Sequence, residues 1–260
     1  MKVVRTIAKL HAELKGEVGL VPTMGALHDG HRSLFSAARA ENELVVASLF
    51  VNAAQFGEEA DLAAYPSDPE GDAELAEAAG VDVLFAPAAG EIYPPGFATW
   101  VDIDDAGAEG AVRKDHFRGV ATVCVKLFNI VRPRRAYFGQ KDAQQAAVIR
   151  RVVRDLNLPL EIRVLPTVRD ADGLALSSRN VRLSNEERAR ALALPKALAA
   201  GAEAHSLGGD AVAATRAALN GLTPDYVELL DLDGVTILAS AARVGATRLI
   251  DNVILEGELT

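Results

Sequence analysis

Two histidines, His28 and His31, flank Asp29-Gly30. They follow an apolar run, Val18–Val21, that is typical of a strand and leads into a Pro/Gly turn. A helical pattern begins immediately beyond the second histidine. A strand, a tight turn and a helix start form an anion site, because free backbone N–H groups and the positive end of the helix dipole face the turn. Imidazoles three residues apart lie on one side of that turn and can hydrogen-bond phosphate oxygens. This stretch predicts a protein that binds nucleotides.

A His-x-x-His pair alone has other interpretations. Such pairs are commonly surface or helix-capping residues, and they can form half of a metal site. The remaining histidines, His11, His116 and His205, form no motif with this pair, whereas catalytic zinc needs a third protein ligand. Gly30, which lets backbone approach a ligand closely, and the position at a helix start favour phosphate binding.

A second polar group follows a short apolar run at residues 136–138. Asp142 and Gln145 have the spacing of a capping box and could simply begin the next helix. Lys141 is not explained in that way, because a lysine beside a helix N-terminus is unfavourable to the dipole. Its placement indicates an anionic partner.

A third group lies in a loop after the turn at Asp170–Gly173. Ser177, Ser178 and Arg179 offer two hydroxyls and a guanidinium, which can hold polyphosphate through neutral and charge-assisted hydrogen bonds. An ordinary polar loop is the alternative.

The elements that must position these groups alternate between apolar strands and amphipathic helices. The predicted strands are Val18–Val21, Leu44–Val51, Val81–Ala86, Thr99–Ile103, Ala136–Phe138 and Leu160–Leu165. The predicted helices are His31–Ala40, Pro69–Ala79, Gly119–Val131 and Asp142–Leu156. The pattern predicts an α/β protein with a doubly wound, Rossmann-like parallel sheet. In such a sheet the ligand crevice lies at the carboxyl ends of the strands, where Asn52 and Gln55 also fall.

The composition and pattern of the sequence change after about Leu183. Ser184 and Glu187 have capping-box spacing before an Ala/Arg-rich helix that Pro195 kinks or breaks. A Gly-rich turn at residues 207–209, a second helix from Asp210 and strands near 226–232 and 248–255 follow. We therefore expect two domains, 1–180 and a smaller C-terminal α+β domain, 181–260.

Composition limits the class of protein. The chain has 260 residues, half of them hydrophobic, and a net charge of −9, which disfavours a nucleic-acid surface. No apolar run approaches the roughly 18 residues of a membrane helix, and the N-terminus lacks a signal-peptide core, so we expect a cytoplasmic protein without a membrane partner. The one cysteine, Cys124, has apolar neighbours at helical spacing and is expected in the core.

The chain resembles the pantothenate synthetase (pantoate–β-alanine ligase) family, a His-x-Gly-His nucleotidyl-transfer family. The resemblance rests on six segments in the expected order: Pro22–His31, Phe50–Gly57, His116–Val120, Tyr137–Gln145, Pro166–Arg169 and Gly173–Asn180. It implies ATP-dependent joining of pantoate to β-alanine through an acyl-adenylate, which replaces a poor leaving group by AMP. It also implies Mg²⁺ held mainly by the ATP phosphates, with no metal site of the protein, and a homodimer.

The resemblance implies the site residues position by position. The catalytic residues would be His31, as the proton donor, with His28, Lys141 and Arg179. The ATP-binding residues would be Met24, Gly25, Ala26, Leu27, His28, Asp29, Gly30, His31, Gly139, Gln140, Lys141, Asp142, Val168, Leu176, Ser177, Ser178 and Arg179. Pantoate would contact Met24, Gln55 and Gln145, and β-alanine would contact Asn52 and Gln55. Residues 1–180 would be the catalytic domain.

Some features stay open at this point. The acidic segment 58–72 is interpreted as a mobile flap that shields the adenylate, and His116 and Arg118 have no assigned role. The chain departs from the family pattern at Ala53, Lys114-Asp115, Gln140 and Ala143. Two rival functions are a transferase that passes AMP to a phosphate and a nucleotide-binding regulatory protein without catalysis.

Overall fold

A computed structural model of the chain describes residues 1–57, 59–104 and 107–259. The strands are β1 (Lys2–Val4), β2 (Val18–Thr23), β3 (Leu44–Leu49), β4 (Val83–Phe85), β5 (Arg135–Gly139), β6 (Glu161–Leu165), β7 (Pro224–Asp231), β8 (Thr236–Val244) and β9 (Thr247–Glu256). The helices are α1 (Ile7–Glu13), α2 (Asp29–Glu41), α3 (Glu59–Ala63), α4 (Pro69–Ala78), α5 (Ala89–Ile92), α6 (Ala108–Val112), α7 (His116–Val131), α8 (Ala143–Asp155), α9 (Asn185–Ala191), α10 (Ala193–Ser206) and α11 (Ala211–Ala218). Short 3₁₀ turns lie at Ala53–Gln55, Gln140–Asp142 and Ser178–Arg182.

The first sheet is parallel and has the order β1-β4-β3-β2-β5-β6. Apart from the edge strand β1, strand order runs outward from β2 in both directions, so the sheet is doubly wound, as predicted. Loops that follow β2 and β5, which are neighbours, leave the sheet toward opposite faces and open a crevice between them. The His-x-Gly-His turn follows β2, and the Lys141 turn follows β5.

Helix α7 carries the core beneath this crevice. Most of its side chains are buried, including Val120, Cys124 and Leu127. Burial raises the pKa of the Cys124 thiol to about 12, so this cysteine is the core residue that its neighbours predicted.

The second sheet is antiparallel, with the order β7-β8-β9, and is covered by helices α9 to α11. Its other face joins the main core through Tyr226, Ile237 and Ala239. The two sheets lie on either side of residue 180, and the domain boundary itself stays a prediction. The capping box of Ser184 and Glu187 is confirmed by two hydrogen bonds between them.

The structure differs from the predicted elements in several places. Thr99–Ile103 is not a strand; it lies along α7, where the Val101 N–H donates to Thr122 Oγ1. Strand β1 pairs with β4, and β8 lies in the middle of the second sheet, and neither was predicted. The helix break falls at Leu192 rather than at Pro195, because Pro195 occupies the first turn of α10, where a missing N–H costs little.

Among the helices of the described residues, none is both long enough and apolar enough to cross a membrane.

Candidate active site

A cavity of about 230 Å³ lies at the carboxyl edge of the parallel sheet. It brings together predicted site residues from five separate parts of the chain. Those that line it are Met24, His28, Gly30, His31, Asn52, Gln55, Gly139, Lys141, Asp142, Gln145, Val168, Leu176, Ser177, Ser178 and Arg179. A wider cleft of about 970 Å³ adjoins it and shares Lys141, Asp142, Ser177 and Arg179.

The two histidines cap helix α2 with their own side chains. The Gly30 N–H donates to His28 Nδ1 over 3.1 Å, and the His28 N–H donates to His31 Nδ1 over 3.2 Å. Because each Nδ1 accepts a backbone proton, the ring proton of each neutral imidazole resides on Nε2. A Cβ at residue 30 would lie 2.8 Å from the His28 ring, so Gly30 makes room for this ring. Each histidine therefore offers one Nε2–H donor.

Both imidazoles are neutral at physiological pH. Burial, with the charge of Lys141, lowers the pKa of His28 to about 4. Burial, with His28 and Lys141 as neighbours, lowers the pKa of His31 to about 3. The ring centroids are 4.2 Å apart, so protonation of one opposes protonation of the other.

The backbone of the preceding turn is held by Asp72. Its carboxylate accepts from Ala26 N–H over 3.0 Å and from Leu27 N–H over 2.6 Å. Gly25 and Ala26 have φ values of +89° and +51°, a left-handed conformation that suits glycine and is strained for alanine. The expectation of free N–H groups in this turn is therefore wrong at Ala26 and Leu27, whose donors are taken. Asp72, which the sequence placed in the flap, anchors the turn instead.

Five predicted ATP-binding residues do not line the cavity: Gly25, Ala26, Leu27, Asp29 and Gln140. Asp29 is exposed and pairs with Arg32. Gln140 turns toward β9, where its amide Nε2 lies 3.4 Å from Asn252 Oδ1. Their contacts with ATP stay predictions.

The cation side of the cavity is formed by Lys141 and Arg179. Asp142 precedes α8 but its side chain makes no capping hydrogen bond, so the capping-box alternative is wrong. Lys141 lines the cavity together with His28 and His31. Arg179 pairs with Asp61 over 2.9 Å, and Arg182 joins the same carboxylate. Burial of Asp61 works in the opposite direction, but hydrogen bonds and the charges of these arginines hold its pKa below the ordinary value.

The proposed flap contributes that carboxylate. Within its described part, 59–72, Asp61 reaches Arg179, and the Tyr65 ring packs edge-on against Phe56 at 5.7 Å. Tyr65 also lines the cavity. Glu58 lies outside the described residues, and movement of the segment stays a prediction.

The lining of the same cavity also combines neutral amides with an apolar floor. Gln55 and Gln145 supply the amides. The floor consists of Phe50 and residues of α7, namely Val120, Val123, Cys124 and Leu127. These groups suit a small molecule that carries both hydroxyl oxygens and methyl groups.

His116 receives a role that the sequence did not indicate. Its Nδ1 lies 2.9 Å from the carbonyl oxygen of Gln55, and the Arg113 guanidinium lies 3.2 Å from Nε2. Burial, with the charge of Arg113, lowers the pKa of His116 to about 4, so the neutral ring donates from Nδ1 and fixes the Gln55 backbone. Arg118 instead lies over Trp100 and pairs with Asp102, outside the cavity lining.

The described residues contain no cluster of three or more His, Cys, Asp or Glu side chains able to hold a metal ion.

The sheet and its cavity place the chain in the class of doubly wound α/β proteins with a His-x-Gly-His turn at the carboxyl edge. Within that class, residues 1–254 match the family model described as pantoate-beta-alanine ligase. The chain belongs to the pantoate–β-alanine ligase family, and the resemblance of its motifs is confirmed.

Curated relatives and solved structures agree with this family. Proteins named pantothenate synthetase from Roseiflexus castenholzii and Moorella thermoacetica are 52% and 51% identical over 98% of this chain, covering 100% and 99% of their own lengths. A crystal structure of pantothenate synthetase from Thermus thermophilus has a TM-score of 0.95 at 47% identity, with 99% of this chain and 100% of that chain covered. A pantoate-beta-alanine ligase from Francisella tularensis has a TM-score of 0.86 at 33% identity, with 99% of each chain covered. The enzyme class predicted from the sequence is thereby confirmed.

Proposed function

We propose that this enzyme condenses pantoate with β-alanine at the expense of ATP, and that it does so through a pantoyl-adenylate. The observation that carries the proposal is the mixed lining of one cavity. Phosphate-binding donors, His28, His31 and Lys141, line it together with the neutral amides Gln55 and Gln145. A triphosphate bound by the donors and a carboxylate bound by the amides would meet within this cavity.

The chemistry takes place in two steps. A pantoate carboxylate oxygen forms a bond to the α-phosphorus of ATP, and the bond from that phosphorus to the bridging oxygen breaks as pyrophosphate leaves. The neutral amine of β-alanine then attacks the acyl carbon, loses a proton and expels AMP. Activation as the adenylate replaces an oxide leaving group by a phosphate ester, which divides one difficult step into two easier ones.

The phosphate-binding groups act in the first step. The two Nε2–H groups and the Lys141 ammonium donate to phosphate oxygens as charge moves onto pyrophosphate. Arg179 also donates to these phosphate oxygens once its ion pair with Asp61 breaks. Because the pKa values of His28 and His31 lie near 4 and 3, the imidazoles act as neutral hydrogen-bond donors.

The amides and the apolar floor select pantoate. Its two hydroxyls and carboxylate provide acceptors and donors for Gln55 and Gln145, and its two methyl groups fit the floor formed by residues of α7. An acceptor that presents only phosphate groups has no methyl groups to pack against that apolar floor. This argues against the rival transferase that passes AMP to a phosphate.

The solved structure from Francisella tularensis is described as a complex with beta-gamma ATP and beta-alanine, which supports ATP and β-alanine as substrates here. Mg²⁺ is expected to enter as part of the MgATP substrate, since ATP phosphate oxygens are its preferred ligands. We also propose a cytoplasmic homodimer, as members of this family generally are.

Isotope exchange tests the proposal. Labelled pyrophosphate is expected to enter ATP only when pantoate and Mg²⁺ are present, and without β-alanine, because formation of the adenylate is reversible. Exchange that requires β-alanine would refute a separate adenylate step. Absence of both exchange and pantothenate formation would favour the regulatory-protein alternative, and exchange driven by a phosphorylated acceptor would favour the rival transferase.

A further inference from the structure

Tyr93 reaches the active site through two residues of the cavity lining, Phe50 and Asn52. Its ring lies 5.0 Å from that of Phe97, 6.1 Å from that of Trp100 and 6.2 Å from that of Phe50. The Lys126 ammonium lies 5.9 Å from the ring centroid. The Tyr93 hydroxyl donates to Asn52 Oδ1 over 2.9 Å. Tyr93 itself does not line the cavity.

Asn52 is almost completely buried, with 1% of its surface exposed. Its Nδ2 donates to Gln55 Oε1 over 3.0 Å and to the carbonyl oxygen of Gly119 over 3.1 Å. Both amide protons are therefore used on protein oxygens, and the amide oxygen accepts from Tyr93. This arrangement leaves Asn52 one orientation, because the Gly119 carbonyl can only accept and a flipped amide would set oxygen against oxygen there. In that orientation Oδ1 faces the Tyr93 hydroxyl, which donates to it.

The orientation passes on to Gln55. Since Gln55 Oε1 accepts from Asn52, the end of the amide that remains for the cavity is Nε2, which makes no hydrogen bond to the protein within residues 1–57, 59–104 and 107–259. An amide whose orientation is free can meet either a donor or an acceptor. Gln55 here presents donors alone.

We propose that Tyr93 is a positioning residue that, through Asn52, makes Gln55 a one-way hydrogen-bond donor and so selects a substrate oxygen over an amine at this point of the cavity. The inference deepens the proposed function and rests on it, because pantoate offers hydroxyl and carboxylate oxygens, whereas the amino group of β-alanine is a donor. It also gives Asn52, which we predicted as a β-alanine contact, the role of orienting the Gln55 amide.

Replacement of Tyr93 by phenylalanine tests this role, because it keeps the ring and removes the hydroxyl. We expect Tyr93→Phe to raise KM and the calorimetric Kd for pantoate about three- to tenfold, the factor that corresponds to one net hydrogen bond. KM for ATP is expected to change less than twofold. Phe97→Leu is the matched control, because it loosens the same aromatic cluster and leaves the hydroxyl; its Kd for pantoate is expected to stay within twofold of the parent value.

A double-mutant cycle separates positioning from general stability. In a Gln55→Ala background, where no amide remains to be oriented, Tyr93→Phe is expected to change the Kd for pantoate by less than twofold. An equal loss in both backgrounds, or an unchanged Kd in the single variant, would overturn the inference. Failure of the unmodified enzyme to use pantoate would instead overturn the proposed function, so the two failures are distinguishable.

Discussion

Gly119 permits a backbone contact on which the substrate amides depend. Its carbonyl accepts from Asn52, and a Cβ at this position would lie 2.4 Å from Ala54 O, 2.6 Å from Ala54 C and 2.7 Å from Gln55 N. All three atoms belong to backbone, so no side chain can rotate away. We therefore predict that Gly119→Ala separates α7 from the 53–55 turn by about 1 Å, the distance needed to restore an ordinary contact of 3.4 Å.

The magnitude differs between stability and activity. Overpacking costs about 1–3 kcal/mol, while alanine in a helix interior regains about 1 kcal/mol over glycine. The free energy of unfolding should thus fall by about 0–2 kcal/mol. Displacement of a positioning element by about 1 Å costs on the order of 100-fold in rate, so kcat/KM for pantoate should fall much further than stability does.

Urea denaturation and steady-state formation of AMP at varied pantoate provide the two measurements. Gly90→Ala in α5 is the matched control, because a Cβ there meets no atom within 4 Å; it should leave kcat/KM unchanged and keep or slightly raise stability. The reasoning is refuted if Gly119→Ala gains the stability of an ordinary helical alanine and keeps kcat/KM for pantoate within twofold.

Three further predictions follow from the site and its supports. Lys141→Ala should lower kcat on the order of 10²–10³-fold, the loss expected for one preorganised donor, and a loss under tenfold in a folded variant means that Lys141 is misassigned. Stability should fall as the pH drops from about 6.5 to 4, because His28, His31 and His116 bind protons in the unfolded state but stay neutral in the folded one, where their pKa values are lowered to about 4, 3 and 4. Each histidine lowers the free energy of unfolding by at most about 1.4 kcal/mol per pH unit. A urea midpoint that stays constant over this range contradicts the pKa shifts. Asp115→Gly should raise the free energy of unfolding by about 0.5–1 kcal/mol, because Asp115 holds φ at +62°, and a lower urea midpoint for this variant opposes that reason.

The convergence of the site was predictable because parallel strands end at one edge of a sheet. His28, Gln55 and Lys141 each follow an apolar run closely, so their meeting required only the correct fold class. Cys124 was predictable for a similar reason, since its apolar neighbours recur at helical spacing. Both inferences use local periodicity, which the sequence carries directly.

Supports that act from a distance were not predictable. Asp72 lies among acidic residues of α4, and nothing in its spacing distinguishes a buried anchor from a solvated carboxylate. Tyr93 reaches Asn52 from a segment without periodicity. The alternation of Thr99–Ile103 is typical of a strand, but a strand also needs a partner, whereas the Ala-rich β8 obtains partners on both sides despite weak strand propensity.

Because the two imidazoles cap the helix, a bound triphosphate would meet two kinds of group, neutral hydrogen-bond donors and charged side chains. Because each Nδ1 is committed to a backbone proton, the pair contributes oriented dipoles and no net charge. Positive charge within the cavity then comes from other residues, among them Lys141, Arg179 and Arg113, which lie in separate parts of the chain. Ionic strength screens charges at a distance far more than it weakens short hydrogen bonds, so salt should govern how readily the nucleotide is captured and leave the geometry of the captured phosphates largely untouched.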